Sequence, residues 1–319
     1  MNQVRLSIVI ASCNGRDDLN RCLTSISAGS LSDAETIVVE NGSSDGTREM
    51  LRNRYPNVTI IENSNNLGHC RAINQGLRYA RGEYILVLDA DTEVSRDALN
   101  TLIGFFQTHP ETVIAAPRML NQDGSLQETA RRFPTIMNAF FGRQSLLTRL
   151  FPSNPYSKKY LYREIVSADE PFEVDWVSSA AMMFPRSLTD KLGFWDESFN
   201  GYWVDCDWCR TAKQVGTAYC VPSARITHLE KYHRGQKKGA SRLIAFHKGV
   251  YNYYRKHYTS GSLDLRALMA GGALALRAGF LILVDLLRSR KSPLSATDSH
   301  CFEPRQNACK SQSGSEVGP

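Results

Sequence analysis

Short, almost wholly apolar runs alternate with stretches of helical apolar spacing through the first 120 residues. Residues 6–11, 36–39, 58–61, 84–88 and 113–116 are rich in Val, Ile and Leu and read as buried strands. Between them, 17–28, 46–53, 69–80 and 96–109 space apolar residues three and four apart, as one face of a helix requires. Strands apolar on both faces and joined by helices predict an α/β fold, a Rossmann-like, mostly parallel sheet flanked by helices. The ligand crevice of such a sheet lies at the carboxyl ends of its strands. Polar residues gather at those ends: Ser12, Cys13 and Asn14; Glu40, Asn41 and Gly42; residues 63–68; and Asp89 with Asp91.

The pattern loosens over 117–171, where Pro134, Pro152 and Pro155 interrupt it, and an irregular region is expected there. Order returns over 174–184 and continues to His228, with a helix expected to start near Trp208. The pattern divides the chain into an α/β domain over 1–230, a basic, amphipathic helical extension over 231–290, and a polar tail over 291–319 expected to be disordered.

Charge sharpens that division. The net charge is +6, yet 231–290 holds twelve Lys/Arg against Asp264 and Asp285, which leaves the rest of the chain about −4. A basic segment behind a mildly acidic body points to an anionic surface, lipid or nucleic acid. Without a nucleic-acid module around it, nucleic acid is not the expected partner. Residues 265–287 are almost wholly apolar but contain Arg277 and Asp285, each of which costs a few kcal/mol at a bilayer centre. Arg266, Arg277 and Arg288 recur every eleven residues and share one helical stripe. A helix lying in a membrane interface is therefore expected, ahead of one packed on protein or one spanning the bilayer.

The chain opens straight into a strand-like run, without the pattern of a secretory signal, so the eight scattered cysteines are expected to be reduced. Cys206 and Cys209 form a C-x-x-C without a second Cys/His pair at zinc-ribbon spacing.

Asp89 and Asp91 end a buried run at i, i+2 spacing, so both carboxylates can converge on one divalent ion where the strand unwinds. Solvated loop acids or helix caps would give the same pattern. The run after the first strand is Ser-Cys-Asn-Gly rather than G-x-G-x-x-G, which argues against a dinucleotide-dependent oxidoreductase.

Taken together, residues 6–14, 38–47, 65–74, Asp89-Ala90-Asp91, 174–183, 193–199, 205–209 and His228 resemble, in order and spacing, the family 2 inverting glycosyltransferases of the GT-A fold. The likeness extends over roughly residues 5 to 230, and within the family it is nearest to bacterial rhamnosyltransferase-type members that build surface polysaccharides. It implies transfer of a sugar from a nucleotide-diphosphate donor, with dTDP-rhamnose the first guess and UDP-hexoses open, to a hydroxyl of a glycan or lipid-linked acceptor. The work would take place peripherally on the cytoplasmic face of the membrane. Carried over by position, Ser12, Asn14, Glu40, Asn41, Gly68, Arg71, Asn74 and Asp89 would line the donor pocket. Asp91, Asp89 and His228 would hold Mg2+ or Mn2+, and Asp205 would be the general base, with Asp207 the fallback. Trp176, Ser179 and Asp207 would face the acceptor. Glu40 stands where the family usually has an aspartate, and Val204 where it has a glutamate. Those two departures keep a competing reading open, a non-catalytic sugar-nucleotide-binding scaffold.

Overall fold

The computed structural model describes residues 4–29, 31–135, 138, 146–199, 201–229, 239–260 and 264–289. The tail over 291–319 and the basic run over 230–238 lie outside them.

All five apolar runs form strands, the first four being β1 (Leu6–Ser12), β2 (Ala34–Asn41), β3 (Thr59–Asn63) and β4 (Tyr84–Asp89). They pair in parallel in the order β3-β2-β1-β4. Helices α1 (Arg16–Ser27), α2 (Thr47–Arg54) and α3 (His69–Tyr79) join them. The chain then gives β5 (Thr92–Val94), α4 (Ala98–Thr108), β6 (Thr112–Leu120), β7 (Ala130–Arg131), α5 (Leu146–Leu150) and α6 (Pro155–Tyr160). It continues with β8 (Phe172–Val174), β9 (Trp176–Val177), β10 (Ala181–Pro185), α7 (Ser187–Leu192), α8 (Val204–Ala212) and β11 (Thr217–His228), and ends in α9 (Ala240–Tyr258) and α10 (Leu265–Ser289).

Among the described residues one sheet runs β3-β2-β1-β4-β10-β6-β11-β5, with β8 on β11. Strand β10 enters antiparallel between β4 and β6. The sheet is thus parallel in its first half and mixed in its second, a pairing that local periodicity does not reveal because parallel and antiparallel central strands bury alike. Side chains alternate across it as the pleat requires. Ile8, Ile10, Leu86 and Leu88 pack against Leu19 and Leu23 of α1 and Leu102 and Ile103 of α4. Val9, Ile37, Val87 and Phe184 face Ile73 and Leu77 of α3 and Trp208 of α8. Helix α3 rides so close to β1 that a Cβ on Gly76 would lie 2.3 Å from Val9 Cγ1.

Helix α9 packs onto this body. Its Tyr253 is buried within the same apolar layer as Trp208, and its Gly249 lets the helix approach Tyr202 and Trp203, where a Cβ would fall 2.8 Å from the Tyr202 carbonyl oxygen. Helix α10 lies along α9, with Gly271 against the Tyr251 ring. Its outer face, including Leu268, Leu276, Phe280 and Leu283, is exposed. Arg266 and Arg277 are exposed as well, while of the Arg288 side chain nothing is described.

Candidate functional site

Sheet register assembles the first cluster. Strand β4 ends at Asp89, the chain turns through Ala90 and Asp91, and β5 then pairs antiparallel with the end of β11, setting His228 opposite Thr92. The Leu229 N–H donates to the Asp91 carbonyl at 2.9 Å and fixes the junction. His228 Nε2 consequently sits 3.2 Å from Asp91 Oδ1 and 3.9 Å from Asp89 Oδ2. One ligand atom from each of the three residues lies within 4.8 Å of the others. On its other side the imidazole Nδ1 lies 2.9 Å from Gln127 Oε1, while Gln127 Nε2 donates to Asn121 Oδ1 at 3.2 Å. That orientation leaves Gln127 only an acceptor for Nδ1, so Nδ1 carries a proton and Nε2 is the nitrogen that faces the carboxylates, the atom a cation would take. Two carboxylates and one imidazole are a donor set suited to Mg2+ or Mn2+. Gln127 was not singled out from sequence, because nothing near it marks its partner 101 residues away.

The residues expected to line a donor pocket occupy the neighbouring strand ends, in different states of engagement. Ser12 lies beside Glu40, and its preceding residue Ala11 beside Asp89. The Ser12 hydroxyl is buried and has no hydrogen-bond partner among the described residues. Asn14 adopts a left-handed φ of 52°, with its N–H donating to Ser43 Oγ at 3.0 Å and its Oδ1 accepting from the Ser44 N–H at 2.7 Å. Glu40 is fully buried and committed to Arg48 and to the Ser43 N–H, and Arg48 also donates to the Asn63 carbonyl at 2.6 Å. Asn41 Nδ2 donates to Asn66 Oδ1 at 2.9 Å, while its Oδ1 accepts from Asn63 Nδ2 and from the Leu67 N–H. These amides brace the loop before α3. Gly68 opens that helix at φ 88° and ψ 155°, a region only glycine visits freely. Arg71 is exposed and pairs with Glu197 at 3.3 Å. Asn74 is buried, and its amide exchanges hydrogen bonds with the Trp195 backbone, 2.9 Å to the carbonyl and 3.0 Å from the N–H, which ties α3 to residues 193–199.

The second cluster centres on Asp205. Helix α8 starts one turn earlier than the sequence pattern placed it, after Trp203 at φ 73°, so Asp205 lies within the first turn rather than capping it. Asp205 Oδ1 accepts the Cys206 N–H at 2.9 Å. Burial pushes its carboxyl above the usual carboxylate range, opposed by the Arg131 charge, by the backbone N–H groups of Cys206 and Ser179, and by His69 at the start of α3. Arg131 pairs across β7 with Trp176, stacks 4.6 Å from the Trp176 ring, and donates from Nε to the Glu128 carbonyl at 3.1 Å. The Trp176 indole N–H donates to the Arg132 carbonyl at 2.8 Å. Trp176 and Asp205 are thereby gathered around Arg131, which no sequence motif marks, and Ser179 lies against Asp205.

Asp207 points elsewhere. Two residues on along a helix turn a side chain about 200° around the axis. Asp207 is buried against α9, with Oδ1 2.7 Å from His257 Nε2 and Oδ2 2.8 Å from Lys256 Nζ, and Lys256 also reaches Asp196 at 3.0 Å. Val204 is buried in the core. Both C-x-x-C thiols are buried too, and burial raises the pKa of each, which makes them inert as ligands or nucleophiles.

A family model described as glycosyl transferase family 2 matches residues 7–168. An N-acetylglucosaminyl-diphospho-decaprenol L-rhamnosyltransferase of Mycobacterium tuberculosis is 26% identical over 305 residues, covering 92% of this chain and 98% of that protein. Among solved structures, the mannosyltransferase PcManGT from Pyrobaculum calidifontis, in complex with GDP-Man and Mn2+, has a TM-score of 0.56 at 17% identity over 91% of this chain and 76% of its own. S. aureus TarS 1-349 in complex with UDP has a TM-score of 0.52 at 12% identity over 90% of this chain and 72% of its own. At these identities the structures establish a shared fold.

Proposed function

Because the chain belongs to glycosyl transferase family 2, we propose that it is an inverting glycosyltransferase moving rhamnose from dTDP-rhamnose to a lipid-linked saccharide at a membrane surface. The observation that carries this reading is the convergence of Asp89, Asp91 and His228 at the carboxyl end of the parallel strands. A divalent cation held by these three residues would neutralise the charge of the nucleoside diphosphate as it leaves.

The chain's own groups supply the rest. Asp205, whose Oδ1 accepts the Cys206 N–H at 2.9 Å, is the carboxylate that takes the proton of the acceptor hydroxyl. Burial raises its proton affinity toward the range a general base needs. Attack from that side, opposite the departing diphosphate, inverts the anomeric configuration in one displacement. The buried Ser12 hydroxyl and the Asn14 turn, beside Asp89, offer polar contacts to the nucleotide. Rhamnose and a lipid-diphosphate acceptor are supported by the likeness to the mycobacterial enzyme, which by its name acts on a decaprenyl diphosphate saccharide. Membrane association is supported by the exposed apolar face of α10, flanked by Arg266 and Arg277.

The test is nucleoside diphosphate release from dTDP-rhamnose, UDP-glucose, UDP-galactose and UDP-GlcNAc, each with Mg2+, Mn2+ or EDTA and a membrane-lipid extract. Release with dTDP-rhamnose alone, abolished by EDTA and in Asp91→Ala, supports the reading. Turnover of a UDP-hexose instead corrects the donor. Tight donor binding without turnover under any condition points to a sugar-nucleotide-binding scaffold.

A further inference from the structure

Arg131 is held on two sides yet keeps its terminal nitrogens unspent. The guanidinium lies 4.6 Å from the Trp176 ring centroid and is anchored through Nε to the Glu128 carbonyl at 3.1 Å. Its two terminal nitrogens have no hydrogen-bond or ion-pair partner among the described residues, and the side chain is only partly buried. An arginine stacked and anchored in this way presents its fork in a fixed direction at little further cost in side-chain entropy. Tyr160 closes α6, and its carbonyl accepts the Arg132 N–H at 2.9 Å, which brings its side chain within the electrostatic reach of Arg131 and Asp205. Burial holds that phenol protonated, its pKa pushed up to about 12, so it is available as a donor. One planar cation and one neutral donor therefore stand within electrostatic reach of the Asp205 carboxyl. A carboxylate so placed would repel an anion arriving alone, but Arg131 offsets that charge and can bind a phosphate bidentately.

We propose that Arg131, with the Tyr160 hydroxyl beside it, is a subsite for the phosphate group that links the acceptor saccharide to its lipid. This rests on the transferase reading above. The subsite would orient the acceptor sugar by its charged end so that a ring hydroxyl meets the Asp205 carboxylate, and it would favour diphosphate-linked acceptors over neutral glycosides. Donor diphosphate is the other source of the same chemistry, and the two make different demands on kinetics.

The experiment uses the full chain with two acceptors that share one sugar, dodecyl diphospho-N-acetylglucosamine and dodecyl N-acetylglucosaminide. The quantity read is the ratio of their kcat/KM values. In Arg131→Gln the preference for the diphosphate acceptor is expected to fall about ten- to hundredfold, mostly through acceptor KM, as loss of a charge-assisted hydrogen-bond pair predicts. Tyr160→Phe, which removes one oxygen only, is expected to lower the same ratio by about threefold to tenfold. An unchanged ratio in both variants overturns the subsite, and so does a rise confined to donor KM, which assigns the cation to the donor. If the wild type transfers to neither acceptor and releases no nucleoside diphosphate with the membrane-lipid extract, the transferase reading fails instead. Calorimetric binding of dodecyl diphospho-N-acetylglucosamine, kept by the wild type and lost in Arg131→Gln, then still decides the subsite.

Discussion

Replacing Gln127 by Leu removes a side chain that touches neither carboxylate, yet it is expected to weaken divalent-ion binding. Gln127 is buried, and its Oε1 is the acceptor, 2.9 Å away, that holds the His228 proton on Nδ1. Leucine fills nearly the same volume but accepts nothing. A buried N–H left without an acceptor costs about 1–3 kcal/mol. The imidazole escapes that cost by carrying its proton on Nε2, the atom 3.2 Å from Asp91 Oδ1, where an N–H donates to the carboxylate and the lone pair needed by a metal is lost. Loss of such an outer partner typically weakens a metal site about ten- to hundredfold, which corresponds to about 1.4–2.7 kcal/mol. Mn2+ titration by calorimetry, with dTDP present, measures this directly and needs no turnover. Gln127→Glu keeps an acceptor and is expected to bind Mn2+ at least as tightly as the wild type. Unchanged Mn2+ affinity in Gln127→Leu would refute the assignment of His228 Nε2 as a ligand atom.

Asp205→Asn is expected to cut kcat/KM about a hundredfold to ten-thousandfold in the donor-release assay, and retention of full rate would remove Asp205 as the base. Burial favours the neutral form of this carboxyl, so the carboxylate forms only above the usual aspartate range. Activity in the wild type should accordingly fall, as pH is lowered, at a higher pH than an exposed aspartate would give, and Arg131→Gln, which removes the main opposing charge, should move that limb higher still. A pH–rate profile of the two proteins checks both signs. Gly76→Ala forces a methyl group to within 2.3 Å of Val9 Cγ1, and an overpacked layer of this type costs about 1–3 kcal/mol, readable as a lower urea midpoint. Charging the outer face of α10 with Leu276→Asp and Phe280→Asp should release the protein from anionic vesicles in a flotation assay without lowering its melting temperature, because both side chains are exposed.

How much of this was legible beforehand varies element by element. The run at 84–88 was apolar throughout, and β4 spans Tyr84–Asp89 with the Asp89/Asp91 pair at its carboxyl end. The helices predicted over 17–28 and 69–80 end within two residues of α1 and α3. Periodicity carries such information because each strand or helix declares its own buried face. The antiparallel entry of β10 declared nothing, since a central strand is apolar whichever way it runs.

Sequence by itself determined the alternating α/β framework, the strand end that carries Asp89 and Asp91, and the basic, apolar character of the C-terminal helices. Tertiary structure decided the rest of the site's geometry. The register of β5 on β11 brings His228 to Asp91, although 137 positions separate them in the chain. The rotation of α8 turns Asp205 toward Arg131 and Asp207 toward Lys256 and His257, and packing spends Glu40 on Arg48 and Asn74 on Trp195. The physical reason is common to all of these. Local pattern fixes which face of an element is apolar, while the partner of a polar side chain is fixed only when distant elements dock and a direction in space becomes a distance.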